Sequence, residues 1–257
     1  MRYIKLIACR VMLREVSLIS ATSDTIVDVT WLEWGLHNKI GELAISLQRE
    51  IDSVNSGKDP HTTYPPPGKD FEAIVLGYGL CSNGTVGLTS EHYPLVIPRA
   101  HDCITLFLGS KELYSEVFNA NPGTFWYSAG WAESANELST DELRDAQYQL
   151  FVDQYGEEMA EEMAEMFGQM MVHYNQLGLI RWQEFADVKF MKDAAVFAQS
   201  YAAENGWQYK AFDGQSLLMR DLLGGNWDQD RYIIIEPGSK PAPSYDDAIF
   251  KAVEVKA

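Results

Sequence analysis

The spacing of apolar residues changes several times along the chain, and each change predicts an element. Tyr3 to Ala8 is a short, nearly continuous apolar run, the pattern of a buried strand, and Cys9 stands where it ends. Val11 to Ser20, with Val11, Leu13, Val16, Leu18 and Ile19, reads as a first helix. Ile26 to Leu32, rich in β-branched residues, reads as a second strand. Over Lys39 to Ser53, residues Ile40, Leu43, Leu47 and Ile51, followed by Val54, recur at helical spacing and predict an amphipathic helix. Asn55 to Pro60 and Tyr64 to Gly68 break the pattern as an exposed loop with local polyproline character. Phe71 to Gly77 and Leu95 to Ile97 are the third and fourth predicted strands. Ile104 to Phe118 is a helix, and Thr124 to Tyr127 a fifth strand.

This alternation predicts an α/β fold of the Rossmann-like class, a mostly parallel sheet with helices on both faces. From Ser139 the texture changes. Ser139-Thr-Asp-Glu142 is a capping-box pattern, and Gly156 to Leu177 reads as a strongly acidic helix. Met159, Met163, Met166 and Met170 form a stripe on it, expected to pack in a core or an interface. The neighbouring glutamates are its solvated face. Asp193 to Asn205 and Ser216 to Leu223 read as helices, and Trp207 to Phe212 and Tyr232 to Glu236 as strands. The expected division is an α/β core over 1–135, an acidic helical insertion over 136–188, and C-terminal α/β units over 189–257 that complete the same sheet.

The net charge of −17 over 257 residues changes the picture of partners. Such an excess of carboxylates repels phosphate backbones and anionic lipid, which argues against nucleic acid and membrane surfaces as partners. No stretch approaches the roughly 18 apolar residues of a spanning helix. The apolar run near Met1 is short and is followed at once by Arg10, Arg14 and Glu15, unlike a cleavable signal. The expected compartment is the cytoplasm. Three cysteines, an odd number in a long chain, do not make a disulfide framework.

Where those cysteines fall carries the candidate chemistry. Cys9, Cys81 and Cys103 each follow the carboxyl end of a predicted strand, the edge at which open α/β sheets bind ligands. Any one of them reads most simply as a small buried residue. Three at one edge, with His101 two residues before Cys103, supply the soft donors that an iron–sulfur cluster or zinc takes. Three thiolates alone would hold a 4Fe-4S cluster with one iron open, the favoured expectation; with His101 as a fourth ligand they would close a zinc site. His101 is otherwise an acid–base candidate, and Arg99 a clamp for the charge of a small-molecule substrate. Tyr78, Gly79, Asn83 and Gly84 form the loop expected to face the cofactor, its glycines letting backbone approach closely. Gly77-x-Gly79 lacks the third glycine of a dinucleotide fingerprint. Asp102 reads more simply as part of a surface ion pair. Glu33 and His37, four apart, are a weak metal pair.

The strings Ile7-Ala-Cys9, Leu76-Gly-Tyr-Gly-Leu-Cys-Ser-Asn-Gly84 and Ile97-Pro-Arg-Ala-His-Asp-Cys103, with Gly123 to Trp131, resemble an uncharacterised prokaryotic family, domain of unknown function 1638. The likeness covers most of the chain and is densest from Ala73 to Gly109. The resemblance implies an anaerobic one-carbon setting, near corrinoid-dependent methyltransferases, and brings no catalytic residues with it. The layout of the cysteines is also similar to that of desulfidases, small enzymes that hold a cluster by three cysteines. The expected function is a metalloprotein, an enzyme or cofactor-handling protein of anaerobic corrinoid metabolism. The alternatives are an accessory module that binds a corrinoid protein or methyltransferase, and a zinc-dependent methyl or thiol transferase.

Overall fold

The computed structural model describes residues 1–39, 41–134 and 140–255. The chain forms two compact units, one of residues 1–114 and 215–257, the other of residues 115–214.

The first unit is built on a five-stranded sheet of β1 (Arg2–Cys9), β2 (Thr25–Leu32), β3 (Ile74–Gly77), β4 (Leu95–Pro98) and β8 (Tyr232–Ile235), in the order β2-β1-β3-β4-β8. The first four are mutually parallel. β1, β3 and β4 are buried almost end to end, which is why they read as continuous apolar runs rather than alternating ones. After β1 the chain passes through a 3-10 turn into α1 (Leu13–Thr22) and lays β2 on one side of β1. After α2 (Glu42–Asn55) it returns to lay β3 on the other side. The topological switch point therefore lies between the carboxyl ends of β1 and β3. α2 forms where the spacing predicts, with Leu43, Leu47, Ile51 and Val54 buried; Ile40 lies outside the described residues.

Lys5 interrupts the apolar run of β1, yet it is fully buried. Its ammonium lies 2.6 Å from both Asp28 of β2 and Asp59 of the following loop, and 3.2 Å from the Thr62 hydroxyl. Asp28 also accepts from Thr63 N–H and hydroxyl and from Tyr64 N–H, so this charge network fastens the loop after α2 to the sheet. A buried ammonium without such partners would not be tolerated.

The sheet departs from the mostly parallel expectation at one edge, where β8 pairs with β4 antiparallel. β8 comes from the far end of the chain, so no helical crossover constrains its direction. β9 (Ser239–Pro243) and β10 (Phe250–Glu254) form a separate antiparallel pair. The prolines of Ser239-Lys-Pro-Ala-Pro243 hide the former as a strand, because proline is accommodated only where no ladder donor is required.

The second unit carries its own parallel sheet of β5 (Thr124–Ser128), β6 (Gln176–Arg181) and β7 (Gln208–Asp213), in that order. The expected single sheet, divided at 135 and 188, is thus replaced by two sheets, and residues 215–257 return to the first. The acidic helix was expected to run to Leu177. It divides instead into α7 (Glu157–Met171) and β6, whose Leu177 to Ile180 are buried. The methionine period masks the change to an extended run. α4 (Lys111–Ala120) leads into the unit, and α5 (Ala129–Ser134), α6 (Thr140–Tyr155) and α8 (Lys189–Glu204) complete it. Ser139 of the capping-box pattern lies outside the described residues. Met159, Met166 and Met170 are about half-exposed, so the stripe is not core packing in this chain.

Candidate metal-binding site

The carboxyl edge of the first sheet is assembled by backbone contacts. Cys9 is the last residue of β1 and opens the 3-10 turn Arg10–Met12. β3 ends at Gly77, and the chain continues through Tyr78 and Gly79 to Cys81. β4 ends at Pro98, and Cys103 is the first residue of α3 (Cys103–Leu108). The last two loops are hydrogen-bonded together, Leu80 N–H to the Ala100 carbonyl at 2.8 Å and Cys81 N–H to the His101 carbonyl at 2.9 Å.

A Cβ on Gly79 would lie 2.4 Å from the Ala100 carbonyl oxygen, so only glycine permits this approach. On Gly84 it would lie 2.4 Å from a methyl of Leu43, so α2 packs directly on the loop. Both glycines thus serve contacts with the protein itself. Cys81, Ser82 and Asn83 are three consecutive residues of positive φ, at 44°, 56° and 65°. Each non-glycine residue there costs roughly 1–2 kcal/mol, asparagine least, and strain of this kind concentrates at functional sites.

The three thiols are free, Cys9 buried and Cys81 and Cys103 partly so. Among the described residues, no group of three donors that includes them has its ligand atoms within 4.8 Å of one another; the only such group is Glu50, Asp59 and His61. The thiols are therefore not drawn into one tight cluster, but they share an electrostatic neighbourhood. Burial raises the Cys9 thiol against hydrogen bonds from Val11 and Tyr78. Burial pushes Cys81 up to about 12 against a backbone hydrogen bond from Gly79, and Asp102 and Cys9 add to the rise. Cys103 is raised well above the usual thiol range by burial, then by Asp102, Cys81 and Cys9.

Tyr78 stands among them. It is only 3% exposed, and its hydroxyl has no hydrogen-bond partner of ordinary geometry. Burial followed by the charges of Cys9, Cys81 and Cys103 raises the phenol.

The other expected residues are placed differently. Asp102 is the N-cap of α3, its carboxylate accepting from Ile104 N–H at 3.0 Å and Thr105 N–H at 3.3 Å, with the Tyr114 hydroxyl at 3.5 Å. It is a capping residue, which replaces the expected ion pair. The His101 ring is exposed and lies 6.4 Å from the Tyr114 ring. Asn83 is exposed at the end of the left-handed turn. Arg99 donates to the backbone carbonyls of Gln229 at 2.8 Å, Ala248 at 2.5 Å and Phe250 at 2.7 Å. Its guanidinium ties β4 to the C-terminal segment. His37, paired with Glu33 by sequence spacing, is instead half-buried within the field of Asp102, and burial lowers its pKa against that carboxylate. Nothing in its spacing signals this, because the segment after β2 reaches Asp102 only in the folded chain.

These features define an α/β protein with cysteine-bearing loops at the carboxyl edge of a mixed, mostly parallel sheet. The chain belongs to the family described as protein of unknown function (DUF1638), whose model matches residues 31–223 and so takes in Cys81 and Cys103. No curated protein and no solved structure matches the chain. No helix among the described residues is long and apolar enough to cross a membrane.

Proposed function

We propose that the chain is a metalloprotein of anaerobic one-carbon or corrinoid metabolism in which Cys9, Cys81 and Cys103 hold a 4Fe-4S cluster. The observation that carries this reading is the placement of every cysteine of the chain at or shortly after the carboxyl ends of β1, β3 and β4, two of them flanking the β1/β3 switch point. The strained turn at Cys81 and the buried Tyr78 hydroxyl add to it. The three thiols are not gathered within 4.8 Å of one another, wider than the sulfur spacing around a single tetrahedral zinc. A tetrahedral ion with bonds of about 2.3 Å draws its sulfurs to within about 4 Å of one another. A cubane, which binds one thiolate at each of several corners, takes them farther apart. When bound, the cluster would supply an open iron as a Lewis acid for a small-molecule substrate.

In this reading His101, exposed at the rim, is an acid–base group beside the substrate. Tyr78 walls the site, with the turn through Asn83 at its edge. The reading includes a reducing compartment, the cytoplasm, in which three free thiols persist. The test is metal and sulfide analysis of anaerobically purified protein. About four irons with matching sulfide, lost in Cys81→Ser, would support it. One zinc without colour would support the zinc-dependent transferase instead, and no metal in protein from iron-replete anaerobic cells would end both.

A second reading has its own observation. Met159, Met166 and Met170 remain about half-exposed on α7 among its glutamates, a soft surface suited to a partner such as a corrinoid protein or methyltransferase.

A further inference from the structure

Glu50 is the residue of α2 that its position in the helix does not explain. It follows Leu47 by three residues and precedes Val54 by four, on the row that meets the core, and its side chain is 12% exposed. An apolar residue there would be buried without cost, whereas a carboxylate must be drawn partly out of water. The loop that follows α2 brings a second carboxylate to it. Asp59 is held against the sheet by Lys5 at 2.6 Å, with its own side chain 1% exposed. The same loop returns the exposed His61, whose backbone N–H donates to the Asp59 carboxylate at 2.9 Å. One imidazole nitrogen and one oxygen from each carboxylate lie within 4.8 Å of one another.

Two carboxylates this close repel unless a cation answers them. Lys5 is already shared between Asp28 and Asp59, each at 2.6 Å. Arg49 reaches Glu50 at 3.3 Å, but its side chain is 70% exposed, so that pair is worth little. Asp28, Asp59 and Glu50 against Lys5 are three negative charges against one positive, and a divalent cation balances the remainder. The imidazole makes the group a ligand set rather than a charged patch. A nitrogen with two carboxylate oxygens suits the harder first-row divalent ions, not the soft metals that thiolates select. Bonds of about 2.1 Å place such donors about 3–4 Å apart, and rotation of the exposed His61 ring closes that distance.

We infer that Glu50, Asp59 and His61 form a binding site for a divalent first-row cation such as manganese(II), which ties the loop after α2 to the helix. Water completes the coordination, since the protein supplies three donors. The site shares no residue with the cysteine-bearing loops and does not rest on the cluster reading.

The experiment titrates manganese(II) into the full chain and follows the electron paramagnetic resonance of the unbound ion. The expected result is a single ion per chain, with coupling to a nitrogen nucleus in the pulsed spectrum of the bound ion. His61 is exposed, so His61→Ala should keep the fold, which circular dichroism checks. This variant should bind at least about tenfold more weakly, the size of loss seen when even an outer partner of a metal ligand is removed, and should lose the nitrogen coupling. Glu50→Gln should weaken binding similarly while keeping the coupling; where it does not fold, His61→Ala decides alone. Cys81→Ser should bind manganese(II) as wild type does.

No manganese(II) bound at millimolar concentration would overturn the inference, as would wild-type binding and coupling in His61→Ala. Binding lost in Cys81→Ser but kept in His61→Ala would place the ion at the cysteines and overturn it too.

Discussion

The backbone N–H of Cys81 donates to the carbonyl of His101 across 2.9 Å, so the loop after β3 and the loop that leads to Cys103 form one hydrogen-bonded unit. Cys81 and Cys103 are 22 residues apart in sequence, and this bond, with the neighbouring one from Leu80, fixes their relation before any ligand is considered.

The contact depends on Gly79. Gly79→Ala would drive a methyl against the Ala100 carbonyl, backbone that cannot swing away. The expected loss is about 1–3 kcal/mol of stability, as for overpacking elsewhere. Because the two loops must separate, metal uptake should fall as well. Urea denaturation and metal analysis of the same preparation check both outcomes.

Burial holds the three thiols in their protonated form. At pH 8 a thiol with a pKa of about 12 is ionised to about one part in 10⁴, so native metal-free protein should react with iodoacetamide far more slowly than urea-unfolded protein. Metal must displace these protons, so uptake should strengthen as pH rises through the range 6 to about 9. Alkylation rates, followed by mass spectrometry, and metal titrations at several pH values test the two parts separately.

The network of Lys5, Asp28 and Asp59 predicts a dependence of stability on acid. Burial pushes both carboxyls up, but Lys5 with Thr63 at Asp28, and Lys5 with Thr62 at Asp59, outweigh it and hold them below the usual range. A depressed folded-state pKa contributes stability that is present above the unfolded value, about 4, and is lost as pH falls through the folded value. Asp28→Asn should therefore cost about 3–5 kcal/mol at pH 7, as for breaking a buried pair. It should also flatten the acid limb of a urea-midpoint series between about pH 5 and pH 2.

Arg99 was expected as a substrate clamp, and its three backbone acceptors give that expectation a direct check. Arg99→Ala should lose about 1–3 kcal/mol by leaving partly buried carbonyls unpaired, with metal content unchanged. Unaltered urea stability together with weaker substrate binding would restore the clamp.

The exposed methionines separate the two functional readings. Replacing Met159, Met166 and Met170 together by glutamine should leave the melting temperature close to wild type, since exposed positions rarely change stability by more than about 0.5 kcal/mol each. Loss of binding to a corrinoid protein or methyltransferase, with iron content preserved, would place a docking function on α7. Unchanged binding would remove that surface from consideration.

Local patterning makes legible the elements that are stabilised locally or buried completely. β1, β3 and β4 are legible because strands covered on both faces must be apolar throughout, and α2 because one face of a helix meets the core at regular intervals. It also placed the cysteines at strand ends, since position relative to a strand is a local property. Contacts between distant segments set the rest. The direction of β8, the division into two sheets and the transfer of β7 to the second sheet depend on pairings between distant segments, which carry no local period. Lys5 shows the same limit within one strand. Its charge looks out of place in an apolar run until Asp28 and Asp59 arrive from elsewhere to neutralise it. At the candidate site, Tyr78 and His37 acquire their surroundings in the same way, from Cys9 on another strand and from Asp102 on another loop. Interactions at long separation are set by the geometry of the whole chain, and a residue's own neighbours in sequence have no means of encoding them.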